Sequence, residues 1–239
     1  MRIYSSDAVM NQPSANEKIT ILKLGGSLLT LPNVAERLIQ LIDKHRIEKP
    51  MVIVGGGATA DIVRHWDQLF ELDADLAHDL ALRAMSLNAR MLAALDPRFH
   101  MLDASVALDG LTDSEAPSIV IIQPHAMLEK LEQAGRVDDL VERSWHVTSD
   151  SIAAWIACQM QVERLILLKS TGLPVASMSP DRQHRSGSEH RAGLINQLMA
   201  GCLVDSEFAK HSVRLPHLSW CNLREDVDKQ TSYSICALW

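Results

Sequence analysis

An α/β fold with a mainly parallel central sheet is what this sequence predicts, and three observations carry that reading. Near-continuous apolar runs at 18–24, 51–54, 118–122 and 165–169 have the length and composition of strands buried on both faces. The stretches between them repeat their apolar residues at helical spacing. The first two runs both stop at glycines that lead into a helix, so the chain alternates strand, loop and helix, with right-handed crossovers expected.

The elements follow in order. The first run, at 18–24, is rich in β-branched residues and is stopped by Gly25 and Gly26. A helix is expected over 33–45, where Val34, Leu38, Leu41 and Ile42 share one face. The second strand, 51–54, is stopped by Gly55, Gly56 and Gly57, and a helix is expected over 59–70. A longer helix starts after Asp73, a suitable N-cap. Leu76, Leu80, Leu87, Met91 and Leu95 lie along one face of it, and Asp96-Pro97 ends it. After the third strand, Gln123-Pro124 reads as a turn. Helices are expected over 149–161, 194–202 and 205–210, with a late strand over 218–223. Residues 177–191 lack hydrophobic periodicity and read as a solvated loop or a flexible lid. No internal repeat is visible.

Composition sets the bounds. The chain has 239 residues, enough for one large α/β domain or two tightly joined lobes, and 47% of them are hydrophobic, so a normal core is available. A net charge of −7 gives no bulk attraction to nucleic acid or to an anionic membrane surface, and neither is expected as a partner. No apolar stretch reaches the ~20 residues needed to span a bilayer. Residues 1–16 are polar, lack the apolar segment of a signal peptide and read as a flexible extension, so a cytoplasmic location is expected. Cys158, Cys202, Cys221 and Cys236 form no C-x-x-C pair and read as free thiols. The ten histidines are scattered, so no protein-built metal site is expected.

Chemistry concentrates in the loops after the strands. Glycines between a strand and a helix expose backbone N–H groups beside the positive end of the helix dipole, an arrangement that binds phosphate or carboxylate. A Cβ there would block close approach of an oxyanion. Two such loops within the first 60 residues point to two anionic ligands held near one another. Lys23 sits near the end of an apolar strand and needs either an anionic partner or a route for its ammonium to water. Lys169 repeats this at the end of the fourth strand, before Ser170, Thr171 and Gly172. Thr148, Ser149 or Asp150 could each cap the following helix. Asp150 could instead hold the two lysines apart and oriented.

Other nucleotide signatures fit poorly. The spacing Gly55-x-Gly57-x-x-Ala60 formally matches a dinucleotide fingerprint, which would make the chain an NAD(P)-dependent oxidoreductase. That fingerprint needs an acid at the end of the next strand, and Asp73, Asp75 and Asp79 fall in a helical stretch instead. The P-loop pattern and the protein-kinase signature set are both absent.

Taken together, Lys23-Leu24-Gly25-Gly26-Ser27, Gly55-Gly56-Gly57, Thr148 through Ala153 and Leu167-Leu168-Lys169 resemble, in order and spacing, the amino acid kinase family. The resemblance covers about 18–172 well and the remainder weakly. It implies a three-layer αβα sandwich with an acceptor-binding lobe over 17–145 and a lobe for Mg2+-bearing ATP over 146–239. It implies that Lys23 and Lys169 stabilise charge on the transferring phosphoryl group while Asp150 organises them. Gly25, Gly26, Ser27, Ser170, Thr171 and Gly172 would meet the ATP phosphates. Gly55, Gly56, Gly57, Asp61, Arg64, Thr148 and Ser149 would meet a small anionic acceptor. A homo-oligomer follows from the habit of the family.

Within the family, isopentenyl phosphate kinases carry a histidine just after the second glycine loop, and uridylate kinases an Asn followed by Arg-Gly. Ala58-Thr59-Ala60-Asp61 stands there instead. The stretch 55–64, together with 78–85, 145–150 and Val204-Asp205, is more similar to the methanofuran-pathway group, which converts (5-aminomethylfuran-3-yl)methyl phosphate to its diphosphate. After Lys169 the chain departs from the family pattern with Ser170-Thr171-Gly172-Leu173-Pro174-Val175. That departure leaves open a nucleotide- or oxyanion-binding protein on the same fold that carries out no transfer.

Overall fold

A computed structural model describes residues 19–102, 119–133, 141–173, 187–225 and 236–239. Its strands are β1 (Ile19–Leu24), β2 (Lys49–Val54), β3 (Phe99–Met101), β4 (Ile119–Ile122), β5 (Arg164–Lys169), β6 (His217–Asn222) and β7 (Cys236–Ala237). They form one sheet in the order β3-β4-β2-β1-β5-β6-β7. Every neighbouring pair is parallel except β6 with β7.

The four buried strands read from the sequence form the middle of this sheet, because side chains of period two must bury on both faces. Ile19 and Ile21 of β1 join Met51, Ile53, Leu165 and Leu167 on one face. Helices α5 (Ser149–Gln159), α6 (Gly187–Ala200) and α7 (Ser206–Ser212) contribute Trp155, Leu198 and Phe208 to the same cluster. Leu22, Leu24, Val52, Val54, Ile166 and Leu168 face the other way, against Val34, Leu38, Leu41 and Ile42 of α1 (Val34–His45). Each fully buried Leu or Ile contributes about 1.5–3 kcal/mol. A one-residue slip of β1 would drive Lys23 into that second layer, so the register is strongly specified. Helices on both faces give the three-layer αβα arrangement expected of the sequence.

Several elements differ in detail. Gln123-Pro124 opens a helix rather than a turn, α4 (Pro124–Gln133), because proline at the first helical position loses no needed N–H. The segment expected as a loop is helical from Gly187 onward, where α6 extends back from its packed half at Leu194, Ile195 and Leu198. Residues 177–186, like the extension at 1–16, lie outside the described residues. Strands β3 and β7 are too short for a periodicity to register.

The largest difference concerns α2 (Gly57–Phe70) and α3 (Ala74–Ala93). Asp73 caps α3 as expected, accepting from the N–H groups of Asp75 and Leu76. The leucine face does not enter the core. Leu76, Leu87, Met91 and Leu95 are exposed, Leu87 to 59%. The buried face is Ala77, Leu82, Ala84, Met85, Asn88, Ala89 and Leu92. On α2, Ile62, Trp66, Leu69 and Phe70 are exposed in the same way. Small residues on the inner face let α3 sit close to α2 and to the sheet, and their low hydrophobicity hid that face in the pattern.

Topology places the functional residues. From β1 the chain crosses first to β2 and later to β5, on the opposite side of β1. The carboxyl ends of β1, β2 and β5 therefore flank a switch point, the crevice where open α/β sheets bind ligands.

Candidate active site

Lys23 is the penultimate residue of β1 and Lys169 the last of β5. The period of two turns both toward the face covered by α5. Between them lies Asp150, in the first turn of α5. Lys23 Nζ stands 2.8 Å from Asp150 Oδ1, and Lys169 Nζ donates to Oδ2 at 2.5 Å and to the Leu203 carbonyl at 2.8 Å. The Lys23 and Asp150 side chains are only 4% and 5% exposed. The Lys169 ammonium also lies 5.4 Å from the centre of the Trp220 ring.

Two cations share one anion here, so the cluster carries net charge +1 in a desolvated place. Burial pulls the Lys23 ammonium below its ordinary range, against the upward pull of Asp150. Burial alone would push the Asp150 carboxyl up, but Lys23 and Lys169 outweigh it and hold the carboxyl low. Asp150 is thus a fixed anion, not a proton carrier. The excess positive charge suits this cluster to a ligand of negative charge.

The start of α5 is fastened from outside. Of the three candidate caps, Thr148 takes the position, its hydroxyl oxygen accepting the Asp150 N–H at 3.3 Å. Asp205 in turn accepts the Thr148 N–H at 3.0 Å and the hydroxyls of Thr148 and Ser151. The same carboxylate caps α7 through the N–H groups of Glu207 and Phe208, at 2.9 and 3.0 Å. Asp205 locks two helices to each other and fixes where Asp150 points.

Above this cluster the two glycine loops press together. A Cβ on Gly26 would fall 2.2 Å from the Gly57 nitrogen, and a Cβ on Gly57 only 2.7 Å from the Gly26 carbonyl oxygen. Gly57 also has φ of +50°, where glycine is strongly favoured. The glycines are therefore required first by loop-on-loop contact, a constraint beyond approach of an oxyanion. The N–H groups of Gly25 and Gly55 close the sheet by donating to Leu168 and Leu24, at 2.9 and 2.8 Å. Among the described residues no backbone acceptor is paired with the N–H of Gly26, Gly56 or Gly57. Asn88 of α3, which is buried, donates to the carbonyls of Gly55 at 2.9 Å and Gly56 at 2.7 Å. It receives the Thr59 hydroxyl at 2.8 Å.

The remaining predicted residues fall into two groups. Ser27 and Ser170 meet hydroxyl to hydroxyl at 3.0 Å, bridging the loops after β1 and β5. The Thr171 carbonyl accepts the Trp220 indole N–H at 3.0 Å, and Gly172 lies in open space near Glu225. On the other side, Gly56, Gly57, Asp61, Arg64, Thr148 and Ser149 line one cavity of about 400 Å³. Asp61 and Arg64 are ion-paired, and the Arg64 guanidinium lies 4.8 Å from the centre of the Trp145 ring. The Trp145 indole donates to Asp67 Oδ2 at 2.6 Å.

Sequence reasoning did not assign Asn88, Asp205, Trp145 or Asp67 to the site. Asn88 had a signal: a polar residue at the spacing of Met85, Ala89 and Leu92 must find partners when buried. Asp205 was visible as a helix start and as part of the resemblance at Val204-Asp205, with no role attached. Trp145 falls within the 145–150 stretch of the resemblance without a role of its own, and nothing local marks Asp67, which meets it across 78 positions of chain.

A mainly parallel sheet thus carries a buried lysine–aspartate–lysine cluster at its strand ends, beneath two glycine loops in contact. The chain belongs to the amino acid kinase family, whose model matches residues 18–172. A curated relative, the [5-(aminomethyl)furan-3-yl]methyl phosphate kinase of Methanocaldococcus jannaschii, is 27% identical over 147 residues, 62% of this chain and 63% of that one. The matched stretch thus spans less than two thirds of the relative's length. Among solved structures, the UMP kinase of Bacillus anthracis aligns with a TM-score of 0.54 and 16% identity over 87% of this chain and 88% of that one. The uridylate kinase of Archaeoglobus fulgidus aligns with a TM-score of 0.55 and 17% identity over 83% and 88%. At such identity these two structures establish the fold.

Proposed function

We propose that this chain is a small-molecule kinase that transfers the γ-phosphoryl group of ATP to the phosphate of (5-aminomethylfuran-3-yl)methyl phosphate, giving the diphosphate. The observation that carries the reading is the net positive, buried Lys23–Asp150–Lys169 cluster at the strand ends, set beneath two glycine loops in contact. Family membership supports the reaction class, and the likeness to the furan phosphate kinase of Methanocaldococcus jannaschii supports the acceptor.

In this reading an oxygen of the acceptor phosphate attacks the γ-phosphorus of ATP, the bond from that phosphorus to the β–γ bridging oxygen breaks, and ADP leaves. The attacking oxygen already carries charge at neutral pH, so no general base is required. Positioning and charge stabilisation then supply most of the rate. The Gly26 N–H and the hydroxyls of Ser27 and Ser170 would meet the nucleotide phosphates, whose oxygens would carry Mg2+. The Gly56 and Gly57 N–H groups, at the start of α2, would meet the acceptor phosphate. Lys23 and Lys169 neutralise charge on the group in transit. The acceptor side then lies over 17–145 and the nucleotide side over 146–239.

The test is ADP release measured side by side with aminomethylfuran phosphate, UMP, acetylglutamate and isopentenyl phosphate. Turnover confined to the furan phosphate supports the reading. ATP binding with no ADP release from any acceptor would leave a binding protein on the kinase fold.

Titration supplies a prediction. Lys23 acts as a cation, and burial lowers its pKa from the ordinary 10.5, so its charge is lost earlier as pH rises. The alkaline limb of kcat/KM, which reports the free enzyme, should therefore fall below pH 10.5. Bound phosphate favours the charged amine, so the limb of kcat should lie at higher pH.

The apolar outer faces of α2 and α3 support a homo-oligomer in which a second copy covers them, since contiguous exposed apolar surface marks interaction sites. Sedimentation should show a dimer or larger assembly for the native chain, and Leu87→Glu with Phe70→Glu should shift it to monomer.

A further inference from the structure

We infer that Asp67 recognises a cationic nitrogen at the far end of the acceptor, so that the site selects a zwitterion, with phosphate at the glycine loop and ammonium at the opposite wall. The inference rests on the kinase reading above and adds to it the residue that decides between acceptors.

Gly57, Asp61, Arg64 and Asp67 recur every three or four residues on α2 and line the same cavity. The helix thus forms one wall, running from the phosphate-binding loop to Asp67. At 1.5 Å per residue, Gly57 and Asp67 are about 15 Å apart along that wall. The phosphorus and amine nitrogen of an aminomethylfuran methyl phosphate are roughly 8 Å apart at ordinary bond lengths. One hydrogen bond of about 3 Å at each end brings the total close to the length of the wall.

Charge along the wall favours the same orientation. Asp61 is neutralised by Arg64, and Arg143 is shared between Glu132 and Asp75. His78, also on the cavity, is pushed toward its neutral form by burial and then by Arg143. Asp67 differs from these. Its Oδ2 accepts the neutral indole N–H of Trp145, and no cation pairs with it among the described residues. A partly buried carboxylate on a cavity wall with no counter-ion is a site for a ligand cation. The Lys23–Asp150–Lys169 cluster gives the opposite sign at the other end. Trp145, Leu72, Leu82 and Met85 add apolar surface to the cavity lining, suited to a small flat ring. The same carboxylate repels an acceptor whose distal end is anionic, so selection works by attraction and repulsion together.

The experiment compares the native chain with Asp67→Asn on two acceptors, the aminomethylfuran methyl phosphate and its neutral hydroxymethyl counterpart, following ADP release. Asn keeps an oxygen for the Trp145 indole and removes the charge. The native chain should prefer the amine by about 10- to 100-fold in kcat/KM. Asp67→Asn should lose that preference through a rise in KM for the amine that is several-fold larger than any change for the hydroxymethyl compound. Equal losses on both compounds would mean that Asp67 merely holds Trp145, and no change on either would also overturn the inference. A native chain that uses both compounds equally overturns the inference and leaves the kinase reading standing. One that uses neither overturns both.

Discussion

Lys23→Ala should lower kcat by about a hundred- to a thousandfold while leaving the protein folded. The reason lies in how charge is shared. Lys23 is nearly free of solvent, and in the proposed mechanism it supplies a full positive charge where the phosphoryl group passes. A preorganised donor in such a place is worth about 10²–10³ in rate, because little water remains to screen it. Its removal does not strand a charge. Asp150 keeps Lys169 at 2.5 Å, and the cluster falls from +1 to neutral. The melting temperature should therefore change little, and circular dichroism with single-turnover kinetics separates folding from chemistry. A variant with near-native kcat would remove Lys23 from the mechanism.

Asp150→Asn should do the reverse, costing both fold and activity. It leaves two ammonium groups facing each other, 4% and 15% exposed, with no counter-ion. Breaking a buried charge pair in this way costs about 3–5 kcal/mol. For a chain of this size that corresponds to a fall of roughly 10 °C in melting temperature. The bound nucleotide should restore part of it, since its phosphates supply the missing negative charge, so ATP should raise the variant's midpoint more than the native one. Sign matters for the pH profile as well. The folded Asp150 carboxyl is held below its ordinary value by the two lysines, despite burial, so its stabilisation is present above the unfolded pKa and is lost as pH falls through the folded one. The variant should lack that part of the acid sensitivity. Equal midpoints for the two proteins would show that the cluster contributes nothing to stability.

Legibility followed the physics of each element. β1, β2, β4 and β5 announced themselves because strands buried on both faces must be apolar throughout, and Lys23 and Lys169 stood out against that background. The leucines of α3 misled for the same reason, since a strong apolar stripe ordinarily marks the core. Here that stripe faces outward, and the buried face is made of alanines, Leu82, Met85 and Asn88. Proline hid α4, because Pro124 reads equally as a turn and as a first helical residue.

By itself the sequence determined every strand of the sheet but β3 and β7, the two glycine loops, the lysines and the family, all of which are written in local runs of residues. Only the tertiary structure decided that the glycines serve loop-on-loop contact, that Asn88 and Asp205 hold the loops and helices in place, and that Asp67 lies on the cavity wall against Trp145. Those relations join residues dozens of positions apart, and no local pattern encodes a distance that only packing sets.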